Sequence, residues 1–188
     1  EKYINDLIIS KKKWINKKIK ENKNLRKAKI NLIENGKEIL YLGNKFKIQI
    51  EKGIKNNVLI YKNNIKLIYY KNNTNKKKLL EDWYKKQCFN LLQERLNYFS
   101  QQMRVVYSRL IIRSYKRRLG SCSIKKEISF NWKIILMPRE IIDYVIVHEL
   151  CHLIHFNHSK YFWDKVYCFC PQYKDHKKWI KENSNILI

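Results

Sequence analysis

Hydrophobic residues recur at helical spacing at the start of the chain. They then form short runs typical of strands, and they return to helical spacing later in the chain. Residues 3–20 place apolar side chains three or four positions apart among lysines, which predicts an amphipathic helix. Four short β-like runs follow, and the pairs Gly43-Asn44 and Asn63-Asn64 between them indicate two hairpin turns. These strands are predicted at residues 38–42, 46–50, 58–61 and 65–70.

The second half of the chain predicts a long helix, a second group of strands and a helical C-terminal part. Apolar residues at helical spacing indicate a helix at 79–102, and strands are expected at 109–115 and 127–134. Pro138 is tolerated in the first turn of a helix. The helices that follow it are predicted at residues 139–156, 159–169 and around Trp179.

This order of elements predicts an α+β protein with a small antiparallel sheet and later helices. A length of 188 residues suits a single domain, with an N-terminal helix and strands at 1–78 and a core at 79–188. No apolar run approaches the roughly 20 residues that span a membrane, so no membrane partner is expected. The chain begins at Glu1 rather than Met, which is consistent with a trimmed N-terminus.

The most informative sequence is His148-Glu149-Leu150-Cys151-His152, within the predicted helix at 139–156. Residues four apart on a helix share one face, so both imidazoles can reach one ion at about 2.0–2.1 Å. Glu149 lies beside them, where its carboxylate can take a proton from a water on the metal without being a ligand. The spacing therefore predicts a zinc site with Glu149 as the general base.

A third ligand is expected because catalytic zinc usually has three protein ligands and one open position. His158 is the first choice, and it reaches the ion only if the helix ends before it. Asn157 is the predicted stop, and Ser159 the predicted cap of the next helix. His155 is the runner-up but lies two turns from His148. His176 and Asp164 are weaker candidates, and the sequence does not decide between zinc and another divalent ion.

The chain carries a formal charge of +25, from 41 basic and 16 acidic residues. One interpretation is a basic surface that binds nucleotide or nucleic acid. The favoured interpretation is compositional, because the lysines are scattered along the chain and do not mark one reading helix. The five cysteines form no CxxC pair, which favours small buried thiols in a reducing, cytoplasmic compartment.

Beyond this motif, several segments resemble the YgjP-like metallopeptidase family, and more distantly the SprT and WLM metalloproteases. The resemblance covers most of the chain from about Gly36 onwards. Leu119 departs from it, because the family usually has Trp there, and an N-terminal hairpin usual in the family would lie ahead of residue 1. The segments that carry the resemblance are Tyr41-Leu42-Gly43, Trp83-Tyr84, Arg118 to Ser123, Ile128 to Trp132, Pro138, Tyr144 to His152, Asn157-His158-Ser159 and Phe162-Trp163.

The resemblance implies a minimal zincin-like fold and one zinc per chain, held by His148, His152 and His158. It also implies Glu149 as the catalytic base of a peptidase. The turn at Gly120-Ser121-Cys122 is read as packing against the active-site helix in preference to acting as a nucleophile loop.

The leading hypothesis from the sequence is hydrolysis of peptide or protein substrates. An edge strand at residues 127–132 would bind an extended peptide by strand addition. Arg118, Tyr144 and Tyr161 are candidates for contact with the substrate, although each tyrosine is more often a packed aromatic. Two alternatives are a nucleoside triphosphate pyrophosphatase and a basic nucleic-acid-associated protein with a structural zinc.

Overall fold

The computed structural model describes residues 33–186, so the helix predicted at residues 3–20 lies outside the described part of the chain. Within it, four strands, a long helix, three more strands and three further α-helices follow one another in an α+β arrangement, as predicted. The elements are β1 (Glu38–Tyr41), β2 (Asn44–Lys52), β3 (Asn57–Tyr61), β4 (Asn64–Tyr69), α1 (Lys76–Met103), β5 (Arg109–Arg113), β6 (Gly120–Cys122), β7 (Glu127–Asn131), α2 (Arg139–Cys151), α3 (Lys160–Phe169) and α4 (Tyr173–Glu182). The division at residue 78 stays a prediction.

No helix among the described residues has the length and apolar character to cross a membrane.

The strands form two mixed sheets, which corrects the prediction of one small antiparallel sheet. The first has the order β1-β2-β4-β3, and the second has the order β5-β7-β6. In the first, each hairpin is antiparallel, but the returning strands β2 and β4 lie side by side and therefore pair in parallel. In the second, β7 pairs in parallel with β5 and antiparallel with β6. The predicted edge strand at 127–132 is thus wrong: β7 is central and β6 is an outer strand.

The tip of the first hairpin packs against the start of α2. The turn is Leu42-Gly43, one residue earlier than predicted, and both residues have positive φ (50° and 78°), as a two-residue hairpin turn requires. Their backbone N–H groups donate to the carbonyls of Ile135 (2.8 Å) and Leu136 (3.2 Å). A Cβ on Gly43 would lie 2.8 Å from Cγ of Pro138, so only glycine fits this contact.

Helix α1 joins the first sheet to α2. Tyr84 on this helix is buried, and its hydroxyl group donates a hydrogen bond of 2.7 Å to the carbonyl of Leu40. Further along, Arg95 makes two hydrogen bonds of 2.8 Å to the carboxylate of Asp143 on α2. The buried face repeats every four residues, as expected for an amphipathic helix, with Leu80, Tyr84, Cys88, Leu92 and Leu96.

Helix α2 is the most deeply buried helix of the described chain, and it ends earlier than predicted. It stops at Cys151 rather than near residue 156. The N–H groups of Leu153 and Ile154 donate to carbonyls three residues back, which tightens the last turn and ends the helix. The predicted stop at Asn157 is therefore wrong. Ser159 does occupy the N-cap position of α3, but its side chain makes no cap hydrogen bond.

The contact between Gly43 and Pro138 can be tested with a matched pair of substitutions. Gly36 and Gly43 both have positive φ (83° and 78°), but a Cβ on Gly36 would meet nothing within 4 Å. We expect Gly36→Ala to lower the free energy of unfolding by about 1–2 kcal/mol, from the left-handed backbone alone. Gly43→Ala should lower it by about 1–3 kcal/mol more, because the methyl group overpacks against Pro138. Urea unfolding measures both, and equal losses would contradict the contact.

Candidate metal centre

Three histidine side chains converge where α2 ends and α3 begins. One potential ligand nitrogen from each of His148, His152 and His158 lies within 4.8 Å of the others, and no other such group of three occurs among residues 33–186. The Nε2 atoms of His148 and His158 are 3.1 Å apart. Two nitrogens on a tetrahedral zinc ion are separated by about 3.3 Å, so these two rings already stand at nearly the spacing of zinc ligands.

The chain reversal after α2 fixes the tautomer of His152. Nδ1 of His152 is 3.2 Å from the carbonyl oxygen of His155. Because a carbonyl only accepts hydrogen bonds, the proton sits on Nδ1 and Nε2 keeps its lone pair for a metal. His155, the runner-up ligand from the sequence, does not join the group of three and contributes its backbone instead.

Two aromatic residues of α3 hold the imidazoles in place. Phe162 is fully buried, and its ring centroid lies 5.0, 4.6 and 4.8 Å from those of His148, His152 and His158. Trp163 stacks on His158, with 5.7 Å between ring centroids and an interplanar angle of 25°. The exposed His158 is therefore oriented by packing against α3. His148 lies on α2, and His152 lies directly after the end of α2.

The electrostatics of the imidazoles suit a divalent cation. Burial, followed by the neighbouring His152 and His158, lowers the pKa of His148 to about 3. Burial also lowers the pKa of His152. Both rings are therefore neutral at pH 7, as metal binding requires. Nδ1 of His148 is buried and has no hydrogen-bond partner among the described residues, so aromatic packing orients this side of the ring. The donor set of three imidazoles fits zinc.

Glu149 is buried beside this cluster, with only 6% of its surface exposed. Burial raises the pKa of its carboxyl to about 8, against the opposing effect of the positive charge of Arg118. Gly120 of β6 lies directly against it: a Cβ there would be 2.6 Å from Oε1 of Glu149. The prediction that the Gly120 turn packs against the active-site helix is confirmed, and the packing partner is the carboxyl group itself.

The loop before Gly120 is anchored by Asn131, a fully buried residue that sequence reasoning gave no role. Its Nδ2 donates to the carbonyls of Tyr115 (3.0 Å) and Arg118 (3.3 Å). Its backbone N–H donates to the carbonyl of Leu119 at 2.7 Å. A buried asparagine at the end of an apolar strand is the signal that could have indicated this anchoring role.

A cleft of about 340 Å³ opens beside His148, Glu149 and Gly120. Of the three predicted substrate contacts, only Tyr144 lines it. Arg118 lies over the ring of Tyr115, 5.2 Å from its centroid, and lines a separate pocket with the serines of the sheet. Tyr161 is 73% exposed and faces His155. Sequence reasoning missed the basic residues that do line the cleft, which are Arg117, Lys177 and Lys181.

Converging imidazoles beside a buried carboxyl group are typical of metal-dependent hydrolases. The chain belongs to the YgjP-like metallopeptidase family, whose metallopeptidase-domain model matches residues 1–183. It is thus a metallopeptidase, and peptides or proteins are its class of substrate. No curated protein sequence matches the chain.

Two solved structures of metallopeptidase zymogens are similar to part of the chain. The zymogen of abylysin from Pyrococcus abyssi is 21% identical over 48% of this chain and 93% of its own, with a TM-score of 0.45. The zymogen of jannalysin from Methanocaldococcus jannaschii is 22% identical over 48% of this chain and 95% of its own, with a TM-score of 0.41.

The metal site can be tested with two histidines from the same short segment. We expect the wild type to bind about one zinc per chain, and His158→Ala to bind it at least about a hundredfold more weakly. His155→Ala is the control: its backbone carbonyl remains, so affinity should stay within about threefold of wild type. Competition with a chromophoric chelator measures all three. Equal weakening by both substitutions would contradict the three-histidine site.

Proposed function

We propose that the chain is a zinc-dependent metallopeptidase in which His148, His152 and His158 hold one zinc ion and Glu149 is the general base. The observation that carries this proposal is the convergence of three imidazoles, held by aromatic packing, next to a buried carboxyl group. Gly120 leaves room for that carboxyl group because it has no side chain, since a Cβ there would lie 2.6 Å from Oε1 of Glu149.

Zinc bound by these imidazoles would supply Lewis acidity, which lowers the pKa of a water and polarises a peptide carbonyl. Burial alone favours the protonated form of Glu149 at neutral pH, but the positive charge of a bound zinc ion would lower the pKa of this carboxyl group. As a carboxylate, Glu149 would take a proton from the attacking water and deliver it to the leaving nitrogen. Tyr144 lines the same cleft, and burial raises its pKa to about 12. Its hydroxyl therefore stays protonated at neutral pH and is a candidate donor to the oxyanion that forms at the carbonyl.

Strand β6 is the best candidate to bind the backbone of a substrate. Residues facing β7 in hydrogen-bonded pairs alternate along an antiparallel strand. The bonds from Asn131 N–H to Leu119 O and from Ser123 N–H to Glu127 O place Leu119 and Ser123 in that set. The backbone groups of Gly120 and Cys122 therefore point away from β7. An extended peptide pairing there would run past Glu149.

Replacement of the proposed base separates chemistry from metal binding. Glu149→Gln keeps the size of the side chain but removes the proton acceptor, so hydrolysis should fall by at least about a hundredfold. The measurement is cleavage of a proteome-derived peptide library, scored by mass spectrometry of new termini, on zinc-loaded protein. Zinc content should remain near one per chain.

The outcomes of this experiment discriminate between functions. Cleavage that persists in Glu149→Gln would refute the assigned base. Pyrophosphate release from a nucleoside triphosphate that is lost in Glu149→Gln, with no peptide cleaved, would move the assignment to a nucleotide hydrolase.

The contact between Gly120 and the carboxyl group gives a second test. A methyl group at Gly120 would lie 2.6 Å from Oε1 of Glu149 and must displace it. We expect Gly120→Ala to lower kcat by about tenfold to a hundredfold, with zinc affinity within about threefold of wild type. Gly36→Ala, which adds a methyl group in open space, is the control for a general loss of stability. Unchanged kcat in folded, zinc-loaded Gly120→Ala would refute the positioning role.

A further inference from the structure

The cleft beside Glu149 is lined by apolar side chains and by three positively charged side chains. Leu119, Val145 and Ile180 supply apolar surface, and Val145 is almost fully buried. Arg117, Lys177 and Lys181 supply three cations, and all three are exposed at the mouth of the cleft. Glu149 is the one acidic residue among the described residues that line it.

The two lysines are brought together by the spacing of α4. Lys177, Ile180 and Lys181 are three and four positions apart, so they share one face of the helix. Like charges one turn apart repel each other and disfavour the helix slightly. Within residues 33–186, no ion pair is formed by either lysine or by Arg117. The positive charge at this mouth is therefore left without a protein counter-ion there.

Lys177 is held toward the proposed metal centre. Its Nζ lies 4.5 Å from the centroid of the Trp163 ring, and Trp163 also stacks on His158 and on Tyr173. A divalent cation held by the three imidazoles would add to the positive charge of Lys177, and Glu149 is the only acidic group that lines the cleft within residues 33–186. An anionic ligand is the group that would complete the balance.

We propose that this cleft is a carboxylate-binding subsite, which selects substrates with an anionic group on a short apolar stem next to the scissile bond. The proposal rests on the proposed function. A glutamate side chain and the free C-terminus of an apolar residue share this chemistry. In either case the carbon atoms of the stem would pack against Leu119, Val145 and Ile180. The carboxylate would then lie among the three cations. A triphosphate fits less well, because the inner wall offers it apolar surface instead of donors.

The test compares peptides that differ only in charge. Two fluorogenic pairs are used: glutamate against glutamine next to the scissile bond, and a free C-terminal carboxylate against its amide. We expect at least about a fivefold higher kcat/KM for one charged member, and a smaller ratio as salt screens the exposed cations. The pair that shows the preference identifies the source of the carboxylate. Equal kcat/KM within both pairs would overturn the subsite.

Charge reversal at the mouth of the cleft supplies the matched control. Lys181→Glu should abolish or invert the preference for the charged peptide. Lys178→Glu makes the same change on the same helix at a residue that does not line the cleft, and should leave the preference intact. Zinc content and the unfolding midpoint show that each variant is folded. Equal effects of both variants would mean that only the overall charge matters, which would overturn the proposal.

A binding measurement separates this inference from the proposed function. The same peptide pairs, carrying a fluorescent label, are titrated with zinc-loaded Glu149→Gln by anisotropy, alone and combined with Lys181→Glu. Charge-selective binding that Lys181→Glu removes supports the subsite even if wild type cleaves no peptide. Cleavage without charge selectivity leaves the peptidase standing and refutes the subsite. Displacement of the label by a nucleoside triphosphate at lower concentration than by the acidic peptide would assign the cations to a polyphosphate and refute it as well.

Discussion

The early end of α2 at Cys151 is the constraint on which the rest of the site depends. Had the helix continued, position 158 would lie about 9 Å further along the axis than His152, on a different face. The tight last turn instead releases the chain, which returns through Ser159 into α3 and brings His158 to within 3.1 Å of His148. The same turn places the carbonyl of His155 beside Nδ1 of His152. The end of the helix therefore both brings the three imidazoles together and sets the tautomer of His152.

A helix that carries the reactive groups also has to be held by apolar packing. Most of α2 is buried, and its start is fixed by Gly43 of the first hairpin while Arg95 of α1 binds Asp143. Burial of Glu149 within this packing disfavours its charged form, which is visible in its raised pKa. The fold accommodates the carboxyl group by placing a residue without a side chain against it. That residue is Gly120, on a loop fastened by Asn131.

The sequence was informative where local spacing decides the structure. Four-residue repeats predicted α1, paired turn residues predicted the two hairpins, and the spacing of His148 and His152 predicted one shared face. The spacing of residues did not predict those features that depend on contacts between segments far apart in the sequence. Nothing local indicates that β2 and β4 pair in parallel, and β6, with three residues, is too short to show alternation. The end of α2 was missed because the sequence after Cys151 continues with apolar and helix-compatible residues, so only backbone hydrogen bonds reveal it.

The placement of charge follows the same division between local and distant information. A total of +25 predicts salt-dependent attraction to polyanions but no site, because dispersed lysines are each screened within about 10 Å at moderate salt. Arg117 and Lys181 are far apart in sequence, and only the docking of α4 beside α2 sets them around one cleft. There the three cations lie around the same apolar wall, so their potentials add at one place, although salt still screens them because they are exposed. Selectivity in such a site comes from where three cations lie relative to Glu149, and not from how many lysines the chain contains.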